Sequence, residues 1–209
     1  LVHRGWGRAP ETLVDLLRRQ VPGCASASPV HRLDRGTSGV VLFALGSEAA
    51  RALGELFRQS RVDKRYIALV RGLAPEEALV DHPIPRRPGG ERVPSVTEVR
   101  RLASAETTPR HVSLVEARPR TGRVHQVRRH LKHLSHPVIG DANYGKGPLN
   151  RALAERYGLT RLALHAASLS FEHPETGQAL TLRAAPPPDL VEPLLAMGFD
   201  AAALAQDAC

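Results

Sequence analysis

The chain has 209 residues, 42% of them hydrophobic, enough to bury one substantial core and consistent with a single, bilobed domain. Its formal charge of +8 is carried overwhelmingly by arginine, which suits a polyanionic partner; a coding bias toward arginine over lysine would explain part of the same excess. Cys24 and Cys209 form no CxxC and give no pairing pattern, no apolar run approaches the roughly 18 residues of a membrane span, and no signal-peptide pattern opens the chain, so a reducing cytoplasm is expected.

In chain order, Leu13, Val14, Leu16, Leu17 and Val21 recur at helical spacing after Pro10 and predict a helix over residues 11–21. The run Val40-Val41-Leu42-Phe43-Ala44-Leu45, between Gly39 and Gly46, predicts a buried strand. Ser47 is expected to cap a helix whose inner face holds Ala50, Leu53, Leu56 and Phe57. Residues 64–70 read as a strand ended by Gly72, with Tyr66, Ala68 and Val70 on one face. Residues 83–94, rich in Pro, Gly and Arg, predict an exposed loop, and 96–102 with 111–117 predict a hairpin.

After the turn Pro119-Arg120-Thr121-Gly122, residues 123–135 predict a helix with the apolar stripe Val124, Val127, Leu131 and Leu134. Arg128 lies at the border of that stripe, partly buried yet able to look into a cleft, while His125, Arg129 and Lys132 fan outward on a basic face. Pro137 ends this helix. Strands over 161–171 and 178–184 flank a turn at 173–177, and 189–197 forms a short last helix. Many strands with few, scattered helices predict an α+β fold on a mixed, largely antiparallel sheet.

The segment His31-Arg32-Leu33-Asp34-Arg35-Gly36-Thr37-Ser38-Gly39 sets one carboxylate among arginines and small residues, on a loop carried by the predicted strand. Such support is what a reactive group needs; the same residues also allow an Asp that caps a turn and pairs with Arg32 or Arg35. His125, His130, His133 and His136 lack the i, i+4 spacing and intervening Glu of a helical zinc site, so no metal is expected. Asp63, Glu98 and Asp141 have no local context like that of Asp34, which leaves paired-carboxylate hydrolysis weakly supported. No GxGxxG or Walker loop is present, and nothing implies a cofactor.

His31 to Gly39, Lys64 to Gly72, Thr121-Gly122-Arg123-Val124-His125-Gln126-Val127-Arg128 with Gly140-Asp141, and Leu162-Ala163-Leu164-His165-Ala166 occur in the order found in RluA-type RNA pseudouridine synthases. The chain resembles that family over nearly its whole length. The resemblance implies the pseudouridine synthase fold, a sheet with flanking helices and a central RNA-binding cleft, with a first strand and a Lys-Pro turn that would precede Leu1. Leu1-Val2-His3-Arg4-Gly5-Trp6, Arg128-Arg129-His130-Leu131 and the stretch 150–164 look most like the members that isomerise uridine-65 of tRNA. Members acting on 23S ribosomal RNA share the same chemical motifs, and an RNA-binding module without turnover is an alternative of a different class.

The implied reaction needs no cofactor: uracil is detached at its N1 to ribose C1′ bond, turned, and reattached through C5. By resemblance Asp34 is the essential carboxylate, acting either as a nucleophile on the ribose or as a base that leads to a glycal. Arg128 corresponds to the arginine that pairs with it. Tyr66 corresponds to the tyrosine that stacks on the base and whose hydroxyl helps remove the C5 proton. Arg32 would enter the space left by the flipped nucleotide, and Leu164 would line the uracil pocket. Arg123, His125, Gln126 and His165 are expected in scaffold or RNA contact, and Arg129 and Lys132 at the RNA backbone.

Overall fold

The structure, a computed structural model, describes residues 11–200 except Pro88. Leu1 to Trp6, Pro10 and Cys209, on which the sequence carries expectations, lie outside the described residues. Helix α1 (Leu13–Gln20) starts later than the predicted residue 11 because Thr12 caps it, its side chain accepting from the Asp15 N–H while Asp15 reaches back to the Thr12 N–H. Strands β1 (Ala27–Pro29), β2 (Ser38–Gly39) and β3 (Phe43–Leu45) follow, then helix α2 (Ser47–Arg58). Gly46, at φ 89°, occupies the N-cap of α2 and Ser47 is already helical, so the expected Ser47 cap is not formed.

The strand predicted over 40–45 is broken, and its breakage shapes the site. Strand β2 runs parallel to β10 (Leu164–Glu172), and Val40 still donates to the Ala166 carbonyl at 3.0 Å. The chain then changes partner, and β3 pairs antiparallel with β1. Gly39 permits this because a Cβ there would stand 2.1 Å from the Ala166 carbonyl oxygen, and its φ of +120° disfavours any side chain.

Strand β4 (Asp63–Arg71) is followed by β5 (Glu77–Asp81), the short pair β6 (Ile84–Pro85) and β7 (Arg92–Val93), and the hairpin β8 (Val96–Glu106) and β9 (His111–Pro119). Residues 83–94 are thus an anchored excursion and not a free loop: Ile84 pairs with Val93 and both are buried. Helices α3 (Gln126–His133) and α4 (Gly147–Tyr157) precede β10, and β11 (Ala179–Arg183) and α5 (Pro188–Ala196) complete the described chain. The main sheet has the order β11-β10-β4-β9-β8-β5, antiparallel throughout except where β2 joins β10.

Helix α3 begins three residues later than predicted, because His125 adopts a left-handed backbone (φ 54°, ψ 29°) and Val124 is 64% exposed and leaves the apolar stripe. Val127 and Leu131 keep their buried positions. Helix α4 was not predicted, although Pro148 in its first turn and left-handed Gly158 at its end are ordinary boundary signals.

A larger core joins Leu69, Leu114, Leu131, Leu153 and Leu194; a smaller one joins Ala44, Leu53, Leu56, Leu169 and Phe171. Strand β10 serves both, through Leu164 and through Leu169. Among the described residues no helix is long and apolar enough to cross a membrane.

Candidate active site

Asp34 lies on the loop between β1 and β2. The loop closes in a turn, with the Thr37 N–H donating to the Asp34 carbonyl at 3.0 Å and Gly36 at φ +87°. The alternative pairing with Arg32 or Arg35 is not what forms. Arg128 of α3 donates from Nη1 to Asp34 Oδ2 at 3.0 Å, and His125 Nε2 stands 3.8 Å from Asp34 Oδ1. The Asp34 side chain keeps 23% of its surface exposed, so it is held firmly but open to a ligand.

Arg128 is itself clamped from behind. Its Nε and Nη2 donate to the two oxygens of Asp141 at 2.7 and 2.9 Å, a bidentate pair in which Asp141 is wholly buried. Asp141 Oδ1 also accepts the backbone N–H groups of Asn143 and Tyr144 at 2.9 and 3.0 Å. Burial acts against the charge of Arg128, but the hydrogen bonds it donates to Asp141 and Asp34 outweigh it and keep the guanidinium firmly protonated. The Tyr144 ring lies 5.1 Å below this guanidinium, and its hydroxyl meets His125 Nδ1 at 3.1 Å. Tyr144, His125, Asp34, Arg128 and Asp141 therefore make a closed circuit of contacts.

Asp34 opens into a cleft of about 410 Å³. Tyr66 of β4, Leu164 of β10, Val127 of α3 and Phe57 of α2 line it, so both cores contribute walls. Burial, helped by the Asp34 charge, pushes the Tyr66 phenol up to about 12. Lys64, which donates to the Thr121 carbonyl at 2.9 Å, is pushed down to about 8 by burial. Burial and then Lys64 push His31 down to about 4; its neutral ring stacks on Phe57 at 4.7 Å and accepts the Leu42 N–H at 2.9 Å.

The structure brings Arg32, Asp34, Tyr66, Arg123, His125, Gln126 and Leu164 to this one cleft, with Arg128 reaching Asp34 from the α3 side. Arg32 and Arg123 are exposed at its rim, and Arg123 Nε donates to the Pro94 carbonyl at 3.2 Å. Of the four residues expected in scaffold or RNA contact, Gln126 and His165 have the geometry of scaffold. Gln126 is 4% exposed and spends its amide inside the protein: Oε1 accepts from the Thr121 hydroxyl and the Arg123 N–H, while Nε2 donates to the Val96 carbonyl and Thr97 hydroxyl. It fixes the entry to α3 and has no donor left for RNA. His165 is 1% exposed; Nε2 donates to the Ala184 carbonyl, so Nδ1 accepts the Ser38 hydroxyl at 2.9 Å and ties β2 to β10. It is scaffold.

Arg129 and Lys132 face a second groove of about 320 Å³ with His82, Arg92, His133 and Tyr144. His125, His130, His133 and His136 go separate ways: toward Asp34, to Thr97 and the His82 carbonyl, onto the His82 ring, and to the Arg71 carbonyl. Among the described residues no three His, Cys, Asp or Glu side chains gather as metal ligands would. Sequence reasoning missed Asp141 and Tyr144 as members of the site. Gly140-Asp141 had only its place in the family pattern as a signal, and Tyr144 had none.

The family model for RNA pseudouridylate synthase matches residues 3–133. The chain belongs to the RNA pseudouridylate synthase family. It is 44% identical over 204 residues to tRNA pseudouridine synthase C of Haemophilus ducreyi, covering 88% of this chain and 82% of that protein. It is 42% identical over 203 residues to tRNA pseudouridine synthase C of Salmonella typhimurium, covering 88% of this chain and 77% of the relative. Among solved structures, Human RNA Pseudouridylate Synthase Domain Containing 1 superposes with a TM-score of 0.72 at 30% identity, over 86% of this chain and 76% of that one. Human RNA Pseudouridylate Synthase Domain Containing 4 gives 0.75 at 26% identity, over 92% and 85%.

Proposed function

We propose that this chain, acting as one catalytic domain in the cytoplasm, isomerises uridine to pseudouridine in tRNA, most closely at position 65, with Asp34 as the essential carboxylate. The observation that carries the reading is the Asp34 to Arg128 to Asp141 chain at the edge of a cleft walled by Tyr66 and Leu164. The relatives' names supply the RNA class.

A cleft of this size takes one extruded nucleotide, not a duplex. Stacking of a base on an aromatic ring is worth roughly 1 to 3 kcal/mol, comparable with the few kcal/mol needed to unstack it, so Tyr66 offsets much of the extrusion cost. Its hydroxyl, pushed up to about 12 by burial, helps remove the C5 proton after the base has rejoined the ribose. Leu164 bounds the pyrimidine, Arg32 and Arg123 hold the rim, and Arg129 and Lys132 meet backbone phosphate.

Arg128 fixes the aim of the Asp34 carboxylate at the sugar without neutralising it. Asp34→Asn is expected to abolish tritium release from 5-tritiated uridine in tRNA while leaving tRNA binding largely intact. Equal release by the Asn variant would refute the assignment. Site-resolved pseudouridine mapping in tRNA and ribosomal RNA from a deletion strain identifies the RNA; loss confined to ribosomal RNA would remove tRNA from the reading.

A further inference from the structure

We propose that Lys64 is an RNA ligand inside the cleft, pairing with a phosphate that flanks the extruded uridine. This rests on the pseudouridine synthase reading above and adds to it a contact on the backbone of that nucleotide. Among the described residues, the buried charged side chains other than histidine are Lys64, Glu116, Arg128 and Asp141. Glu116 is paired with Arg65, and Arg128 with Asp141. Lys64 is the exception. Its ammonium donates to the Thr121 carbonyl at 2.9 Å, and among the described residues no carboxylate reaches it as an ion-pair partner. A cation withdrawn from water without a counter-ion is costly, and buried charges are as a rule paired. The side chain lies in the cleft wall, so its counter-ion can come from outside.

Its place on β4 says which part of a nucleotide it meets. Side chains two apart on a strand leave the same face about 7 Å from each other, so Lys64 follows Tyr66 along the cleft wall. The register gives the direction: Ala68, on one side of Tyr66, lies opposite Leu164, whereas Lys64, on the other side, bonds the turn that carries the exposed Arg123. A base held between Tyr66 and Leu164 therefore leaves its backbone to the Lys64 end. The charges sort in the same way. Asp34 acts on Tyr66, His125 and Arg128, while Asp63 and Arg123 act on Lys64. Asp63 is exposed and leaves the opposite face of the strand, so an anion at Lys64 is attracted by Arg123 and stands apart from the catalytic carboxylate.

An ammonium has three hydrogens, and the Thr121 carbonyl takes one, which leaves two for phosphate oxygens. Gly122 puts no side chain over them; a Cβ there would stand 3.9 Å from Nζ. The groups around the ammonium are Asp63 from β4, the Thr121 carbonyl and Arg123 from the turn before α3, and the neutral ring of His31 from the β1–β2 loop. Burial lowers Lys64 to about 8, with Asp63 opposing and Arg123 adding to the effect. The ammonium is thus charged below that pH and discharged as pH rises through it, while a phosphodiester keeps its charge. RNA affinity is accordingly expected to decline above about pH 8.

The test replaces a single phosphate of the tRNA by an uncharged methylphosphonate, on the 5′ side of uridine-65 in one preparation and on the 3′ side in another, and measures binding by the full chain. One of the two is expected to weaken wild-type binding about 10-fold at neutral pH and to abolish the decline seen with natural tRNA above about pH 8. Lys64→Met is expected to weaken binding of natural tRNA by about the same factor, and to lose little more when combined with that methylphosphonate, as a shared contact requires. Losses that multiply, a Lys64→Met variant that binds natural tRNA like the wild type, or a wild type indifferent to both methylphosphonates overturns the proposal. Should Lys64→Met not fold, the wild-type pH series on natural and substituted tRNA decides by itself. A wild-type protein that forms no pseudouridine in any RNA would instead overturn the underlying function.

Discussion

Asp141 carries four hydrogen bonds on a carboxylate with no solvent access, two of them from Arg128. Burial works against its ionisation, yet Arg128 and the Tyr144 and Asn143 N–H groups prevail and hold the carboxyl below its ordinary range. Asp141→Asn leaves the Arg128 charge half matched in a dry site, and a loss of about 3 kcal/mol in stability is expected by urea unfolding. Because the folded pKa is depressed, the stabilisation is complete above the unfolded value of about 3.9 and fades as pH falls through the folded one. Wild-type unfolding free energy is accordingly expected to drop below about pH 4 by a component absent from Asp141→Asn, measured across a pH series. Asp34 and Arg128 were legible in the sequence because a lone carboxylate among small residues, and an arginine on the border of an apolar stripe, are local patterns. Asp141 was not: it meets Arg128 only after a helix ends and a turn brings the chain back, and no periodicity encodes that return.

The elements show the same division between local pattern and tertiary override. Strands β4, β8, β9 and β10 and the inner face of α2 follow from alternation and helical spacing. The strand expected over 40–45 fails because its apolar run cannot encode a change of partner, from β10 to β1, made possible by Gly39. Gly39→Ala sets a Cβ against a carbonyl of the neighbouring strand, where neither backbone can retreat without breaking the β2 to β10 pairing. A loss of about 3 kcal/mol or more is expected on chemical denaturation. Turnover is expected to fall as well, because β2 is the exit of the Asp34 loop. The late start of α3 has a comparable origin: helix propensity runs through Arg123 and Val124, but the Gln126 amide accepts the Arg123 N–H and the Thr121 hydroxyl and donates to the Val96 carbonyl of β8, and His125 absorbs the change of direction.

At the scale of the molecule, the α+β class and its largely antiparallel sheet were readable from the count and spacing of strands, whereas the central cleft was expected only from the family resemblance, because its place between two cores depends on β10 serving both. Part of the chain's positive charge is gathered in one place: the groove beside the cleft is lined by His82, Arg92, Arg129, Lys132 and His133, and among the described residues no carboxylate lines it. Removing Arg129 and Lys132 together by alanine is expected to weaken tRNA binding and to reduce the slope of log affinity against log salt by about 1 for each phosphate no longer neutralised. Filter-binding titrations over a salt series measure this, and an unchanged slope would return both side chains to the role of solvated surface. Lastly, the five side chains from Tyr144 round to Asp141 have no loose end. Disturbance at any one of them arrives at every other from two directions, so descendants of this sequence are free to drift there only by compensated exchanges, and the three stretches that supply the ring are bound to a common history.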